Sequence, residues 1–308
     1  MANEALPLTE QRNPRTADLD TLPAQELVRL MNEEDATVAP AVARAIPQIA
    51  AAVETIVRIL RQGGRLIYVG AGTSGRLALL DALECPPTFN TDPQQVQAVV
   101  AGGAGSDVSS SAESEDRADL GRQAMADRTV GSNDVVVGVA ASGTTPFTVA
   151  AVEEARRRGA STVALCCVPD SPLARAAEVA IVPVVGPEVL TGSTRLKAGT
   201  AQKLVLNTLS TAAMVRLGKA YRNLMVEVQP RNEKLRARAE RILMEAVGVT
   251  APEARRWLGR AGGNLKVGIV MASSGVDRRD AVGLIAAAGG HVRGAIAAAE
   301  AEHRGGMP

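Results

Sequence analysis

Two histidines in 308 residues, His291 and His303, both near the C-terminus, leave no material for a Ser-His-Asp triad or a histidine-rich metal site in the main body of the chain. Cysteine is nearly as scarce. Cys85 and the adjacent Cys166 and Cys167 make neither a disulfide framework nor a metal knuckle, and they fit a reducing, cytoplasmic setting. Aromatics are 2% of the residues, too few for base-stacking platforms, and the net charge is +1, from 34 Lys+Arg against 33 Asp+Glu. Nucleic acid and a membrane surface are therefore not expected as partners. The longest apolar runs, such as Val135–Ala141, are strand-sized and fall short of a bilayer span. No basic region followed by an apolar stretch opens the chain, so no secretory signal is expected.

What is there is an ordinary globular composition, 46% hydrophobic and 22% charged. Residues 1–20 are polar and carry Pro7 and Pro14, which reads as an extended arm. Leu22–Asn32 and Val38–Leu60 have helical apolar spacing, the second ending at Gly63-Gly64 as a left-handed cap would. Five β-branched apolar segments follow: Leu66–Val69, Val96–Ala101, Asp134–Ala140, Thr162–Cys167 and Val179–Val184. Four are nearly continuous in apolar residues, as strands buried on both faces are. Helical patterns at Leu77–Leu83, Glu113–Ala126 and Phe147–Arg158 separate them. The expectation is an α/β fold, a doubly wound, five-stranded parallel sheet with ligands at the carboxyl ends of its strands. Lys197–Leu217 reads as a buried helix, Arg231–Val247 as a basic amphipathic one, and 250–303 as short alanine-rich helices broken at Gly262-Gly263, Gly275 and Gly289-Gly290. The domains expected are an N-terminal arm and helices (1–62), the sheet domain (63–247) and a small helical domain (248–308).

The chemistry concentrates after the first strand. Gly70-Ala71-Gly72-Thr73-Ser74-Gly75 offers backbone N–H groups and hydroxyls to an anion at a helix start. The spacing matches G-x-G-x-x-G, but the second strand ends Ala101-Gly102-Gly103 without the carboxylate that a dinucleotide ribose needs. No Gly-Lys-Ser/Thr closes the loop as in a nucleotide P-loop. A phosphate is the remaining ligand. Ala141-Ser142-Gly143-Thr144-Thr145-Pro146 repeats the arrangement after a second buried strand, with Thr144 or Thr145 placed to cap the next helix. Glu84 is followed by Cys85-Pro86-Pro87, where the prolines are expected to stop the helix. Ser109–Asp116 reads as a helix start with acids in its first turn, and Arg156-Arg157-Arg158 as a helix end that compensates the dipole. Cys85 has no histidine partner in view and reads as structural.

These residues also carry a resemblance. Thr9–Pro14, Asn32–Asp35, Tyr68–Phe89, Ala101–Gly103, Ala141–Pro146, Gly186–Ser193, Lys197–Lys203, Asn223–Val226 and Asn232–Leu235 are similar to the N-acetylmuramic acid 6-phosphate etherase family, whose members have a sugar isomerase (SIS) domain. The resemblance implies two catalytic carboxylates, Glu84 and Glu115. Ala112 stands where the family's first glutamate is usual, and Glu113 where glycine is. It implies a sugar phosphate held by Thr73, Ser74, Ser142 and Thr144, with Gly72, Gly143 and Thr145 in the same two loops and Ser193 in the polar loop before Lys197–Leu217. No metal and no cofactor are implied, and the resemblance, with the apolar Lys197–Leu217 helix, implies a homodimer. The activity implied is cleavage of a lactyl ether by elimination and water addition. An aldose–ketose isomerase or a sugar-phosphate-sensing regulator on the same fold are the alternatives.

Overall fold

The computed structural model describes residues 6–103, 108–228 and 233–305. The chain divides into two compact units, Met1–Leu83 with Pro93–Ser210, and Glu84–Asp92 with Thr211–Pro308.

The first unit is built on five parallel strands: β1 (Arg65–Gly70), β2 (Val96–Val100), β3 (Asp134–Val139), β4 (Ser161–Leu165) and β5 (Val179–Ile181). Their order is β2-β1-β3-β4-β5, with Gly70 of β1 opposite both Val100 and Val139. The order reverses beside β1, and the carboxyl edge at such a reversal is where doubly wound sheets generally bind ligands. β1 and β3 are buried almost throughout, as their continuous valine, isoleucine and leucine runs require. Alternation divides β1 between two faces. Ile67 and Val69 enter a core with Met125 of α6 (Ala118–Asp127) and Phe147 and Val152 of α7 (Pro146–Arg157). Tyr68 turns the other way and donates to Asp81 of α4 (Gly72–Phe89).

Several boundaries differ from the sequence expectation. The apolar stretch 38–60 is two helices, α2 (Val38–Arg44) and α3 (Ile46–Arg61), because Pro47 cannot donate to the Ala43 carbonyl. Gly63, at φ 78°, ends α3 as expected. The stretch 113–126 is also two helices, α5 (Val108–Glu115) and α6, parted at Arg117, which leaves helical geometry at φ −93° and ψ 90°. The acids Glu113 and Glu115 therefore close α5 instead of opening it. The prolines do not stop α4. Each removes one hydrogen bond, to the carbonyls of Ala82 and Leu83, and an interior proline costs about 3 kcal/mol. They fall near the helix end, where Cys85 (2% exposed) and Phe89 (8%) are buried. Burying a phenylalanine offsets about 1.5–3 kcal/mol of that cost. The helix ends instead at Asn90, φ 51°, whose N–H reaches the Pro86 carbonyl at 2.9 Å.

The arm is not simply extended. It makes 3₁₀ turns at Leu8–Glu10, Pro14–Thr16 and Leu19–Thr21 and buries Thr9, Asn13 and Thr16. Glu34, at the end of α1 (Ala24–Asp35), explains why. Its carboxylate accepts from Asn13 (2.9 Å), Arg15 (2.6 Å) and the Lys197 ammonium (2.7 Å), so a buried charge ties the arm to the start of α9 (Lys197–Arg216). Burial alone would raise the pKa of Glu34. The bonds and charges of Lys197, Asn13 and Arg15 outweigh it and hold the pKa below the usual value. Arg157 and Arg158 close α7 as expected, paired with Glu154.

The second unit holds a short hairpin, Ala220–Tyr221 (β6) with Leu224–Met225 (β7), and five helices: α10 (Glu233–Val247), α11 (Ala251–Arg260), α12 (Leu265–Ser274), α13 (Arg278–Ala287) and α14 (Val292–Gly305). The expected start of α10 at Arg231 lies outside the described residues. Leu265–Met271 of α12 is buried on every side and forms the axis of this unit's core. Glycines at positive φ end its helices where expected, at Gly262-Gly263, Gly275 and Gly289-Gly290. Among the described residues no single helix is long and apolar enough to cross a membrane.

Candidate active site

The turn after β1 is tight because it has no side chains where it folds on itself. A Cβ on Gly75 would lie 2.8 Å from the Gly70 carbonyl oxygen. Gly72, at φ 51°, opens α4. The N–H groups of Gly72, Thr73 and Ser74 belong to the first helical turn, which has no partners within the helix. Thr73 is exposed and Ser74 half-buried.

The loop after β3 is fixed from behind. Gly143, at φ 70°, lies so close to Ser171 that a Cβ would fall 2.2 Å from its hydroxyl, and the Gly143 carbonyl accepts from Leu173 N at 2.9 Å. Ser142 and Thr144 share a hydroxyl–hydroxyl bond of 2.8 Å. Thr145 occupies the N-cap position of α7, but its hydroxyl makes no cap bond. It donates instead to Glu115 Oε1 at 3.0 Å. The other oxygen of Glu115 would lie 3.9 Å from a Cβ on Gly72. The end of α5 and the two hydroxyl-bearing loops thus meet at one edge of the sheet.

Ser193 is half-buried in the loop before α9, and its link to Thr73 is indirect. Thr194 accepts from Gly199 N at 2.9 Å, and a Cβ on Gly199 would touch Thr73 Cγ2 at 4.0 Å. Glu84 is exposed on α4 and has no hydrogen bond or ion pair among the described residues. Exposed residues on that helix include Thr73, Arg76, Leu80, Leu83, Glu84 and Pro87, a stripe at helical spacing. Leu80 is 54% and Leu83 62% exposed.

Three polar features escaped the sequence reading. Asp81 accepts from Tyr68 (2.8 Å), Asn207 (2.7 Å) and Ser210 (3.0 Å). Burial raises its pKa, and those three bonds with the Lys203 charge only partly offset this. Glu188, wholly buried, accepts from the N–H groups of Lys197 and Ala198, both at 2.9 Å, and so caps α9; burial raises its pKa too. Gln202 accepts from Ser74 at 3.0 Å. The one readable signal for Asp81 and Gln202 was polar residues, Gln202, Asn207 and Ser210, recurring in an otherwise apolar helix. Cys85, Cys166 and Cys167 are buried thiols that form no disulfide, and burial raises the pKa of the last two. Among the described residues no three of His, Cys, Asp and Glu gather as a metal site.

A parallel sheet of this order with paired Ser/Thr loops at its carboxyl edge is a doubly wound fold, and its class is a sugar isomerase domain by the match of its sequence. Residues 118–212 match the SIS domain, and 48–156 match the glucokinase regulatory protein N-terminal SIS domain. A phosphoheptose isomerase from Neisseria gonorrhoeae overlays 62% of this chain and 98% of its own, at 17% identity and a TM-score of 0.49. The sequence goes further. The chain is 53% identical over 291 residues to the N-acetylmuramic acid 6-phosphate etherases of Streptomyces avermitilis and Streptomyces coelicolor, covering 94% of each chain in both comparisons. It belongs to the N-acetylmuramic acid 6-phosphate etherase family.

Proposed function

We propose that this chain is a cofactor-independent carbon–oxygen lyase that cleaves the D-lactyl ether of N-acetylmuramic acid 6-phosphate, giving N-acetylglucosamine 6-phosphate and D-lactate. The observation that carries the reading is the placement of Glu115 against both the Thr145 hydroxyl and the opening of α4. The phosphate sits at the N–H groups of Gly72–Ser74, with Thr73, Ser74, Ser142, Gly143 and Thr144 around it and Ser193 completing the rim.

The open-chain sugar has an aldehyde at C1, which acidifies the C2 proton. Glu115, with Oε1 held by Thr145, takes that proton on its free oxygen. The electron pair forms the C2=C3 bond as the C3–O bond breaks. Glu84, protonated, gives its proton to the departing lactate oxygen and then takes one from the water that adds at C3. A proton returned to C2 completes the balance, and the net change is hydrolysis of the ether. Each acid or base contributes about 10²–10⁴-fold.

A homodimer in the cytoplasm is part of this reading, and the exposed stripe on α4 supports the dimer. Leu80, Leu83 and Pro87 flank Glu84, and a second copy covering them removes Glu84 from water. An acid for the leaving group is served by that loss of water. The test is to incubate the purified protein with N-acetylmuramic acid 6-phosphate in deuterated water. Lactate release with deuterium at C2 of the product is expected. A ketose phosphate without lactate would replace this reading with an isomerase.

A further inference from the structure

Gln202 is 1% exposed, and its amide is only half satisfied. Oε1 accepts the Ser74 hydroxyl, while Nε2 is buried without a partner. A serine has one proton to give. Spent on Gln202, it is not available to an anion at the opening of α4, and the orphaned amide N–H is itself costly. A half-turn of the amide frees the serine proton and pairs one N–H, with Oε1 taking the buried place that Nε2 had. Nε2 then donates to Ser74 Oγ, and the serine proton turns to the anion. The exchange keeps the side chain's shape, because the amide's oxygen and nitrogen ends are nearly equal in size.

We propose that Gln202 is a positioning residue for the sugar phosphate, acting through Ser74: anion binding turns the amide so that nitrogen, serine hydroxyl and phosphate form one chain of hydrogen bonds. This rests on the reading of Ser74 as a phosphate ligand. The chain is stronger than its separate bonds because each donor polarises the next. The fold supplies the support. Gly199, three residues before Gln202 and on the same face of α9, would bring a Cβ to within 3.8 Å of Leu77 and 4.0 Å of Thr73, so this face backs the first turn of α4.

The experiment is steady-state kinetics on the full chain, with inorganic phosphate as competing inhibitor. Gln202→Glu can only accept, so it keeps the serine proton and adds a negative charge. It should raise KM about 30-fold with kcat within about threefold, and weaken phosphate inhibition in parallel. Gln202→Leu should raise KM about fivefold, and it decides the question if the glutamate variant does not fold. Adding Gln202→Leu to Ser74→Ala should cause no further loss, because the two residues act as one unit. Full additivity of the two losses, or a lowered kcat with unchanged KM in Gln202→Leu, overturns the proposal. Unchanged KM and phosphate inhibition in Ser74→Ala itself removes the phosphate reading, and the role of Gln202 with it.

Discussion

Glu115 closes α5 at the carboxyl edge of the sheet, half-buried, with Thr145 donating to one oxygen at 3.0 Å. Glu84 stands on the open side of α4, exposed, between an exposed leucine and a buried cysteine, with no polar partner among the described residues. The two carboxylates have opposite needs in the proposed reaction. A base is served by donors that keep it charged and by a fixed direction, and one chain supplies both to Glu115. An acid is served by loss of water, and Glu84 is exposed. The difference teaches that, in the proposed reaction, the base is assembled by folding, whereas the acid is completed by the proposed association.

The largest effect should come from breaking association. Leu80→Asp with Leu83→Asp leaves the sheet edge untouched and places charge on the apolar stripe. Sedimentation should give a monomer, and lactate release should fall below detection while inorganic phosphate still binds. A dimer with full activity would refute the contrast. Next, Glu84→Gln should lower lactate release about 10²–10⁴-fold yet leave exchange of the C2 proton with deuterated water, whereas Glu115→Gln should lose both. Equal loss of exchange in the two variants would show that their roles are not separable in this way. Thr145→Val should lower kcat about tenfold, the value of one charge-assisted hydrogen bond. An unchanged kcat in Thr145→Val would show that this hydrogen bond does not position the proposed base.

The smallest effect concerns Glu34, a third carboxylate, whose partners all lie in one chain. Its folded pKa is held below 4.5, so its stabilisation is present at neutral pH and lost as pH falls from about that value through the folded pKa. Glu34→Gln should flatten this acid-side slope in urea unfolding measured across pH. An unchanged slope would show that the arm's ion cluster does not couple to folding.

The sheet was legible because its strands are short β-branched runs between glycine-rich turns, a local pattern that burial on both faces imposes. The expected sheet order class and the approximate strand limits stand. The helix ends were less legible. Pro86 and Pro87 carry a local penalty, but the burial of Phe89 and Cys85 is a tertiary fact that local rules do not contain. Likewise a threonine before Pro146 can cap its own helix or reach elsewhere, and only folding brings Glu115, thirty residues earlier, within its range. The bonds from Ser74 to Gln202 and from Asn207 to Asp81 span more than a hundred residues and left only misplaced polarity in an apolar helix as a trace.

Glu188 has one further consequence. The start of α9 is a helix opening of the kind that attracts anions, and it belongs to the same unit as the start of α4. The chain fills it with its own carboxylate, both oxygens engaged, so it cannot serve as a decoy. Anions are thereby turned away from the start of α9. For the proposed site at the start of α4, selectivity is then helped by a residue that lies outside it.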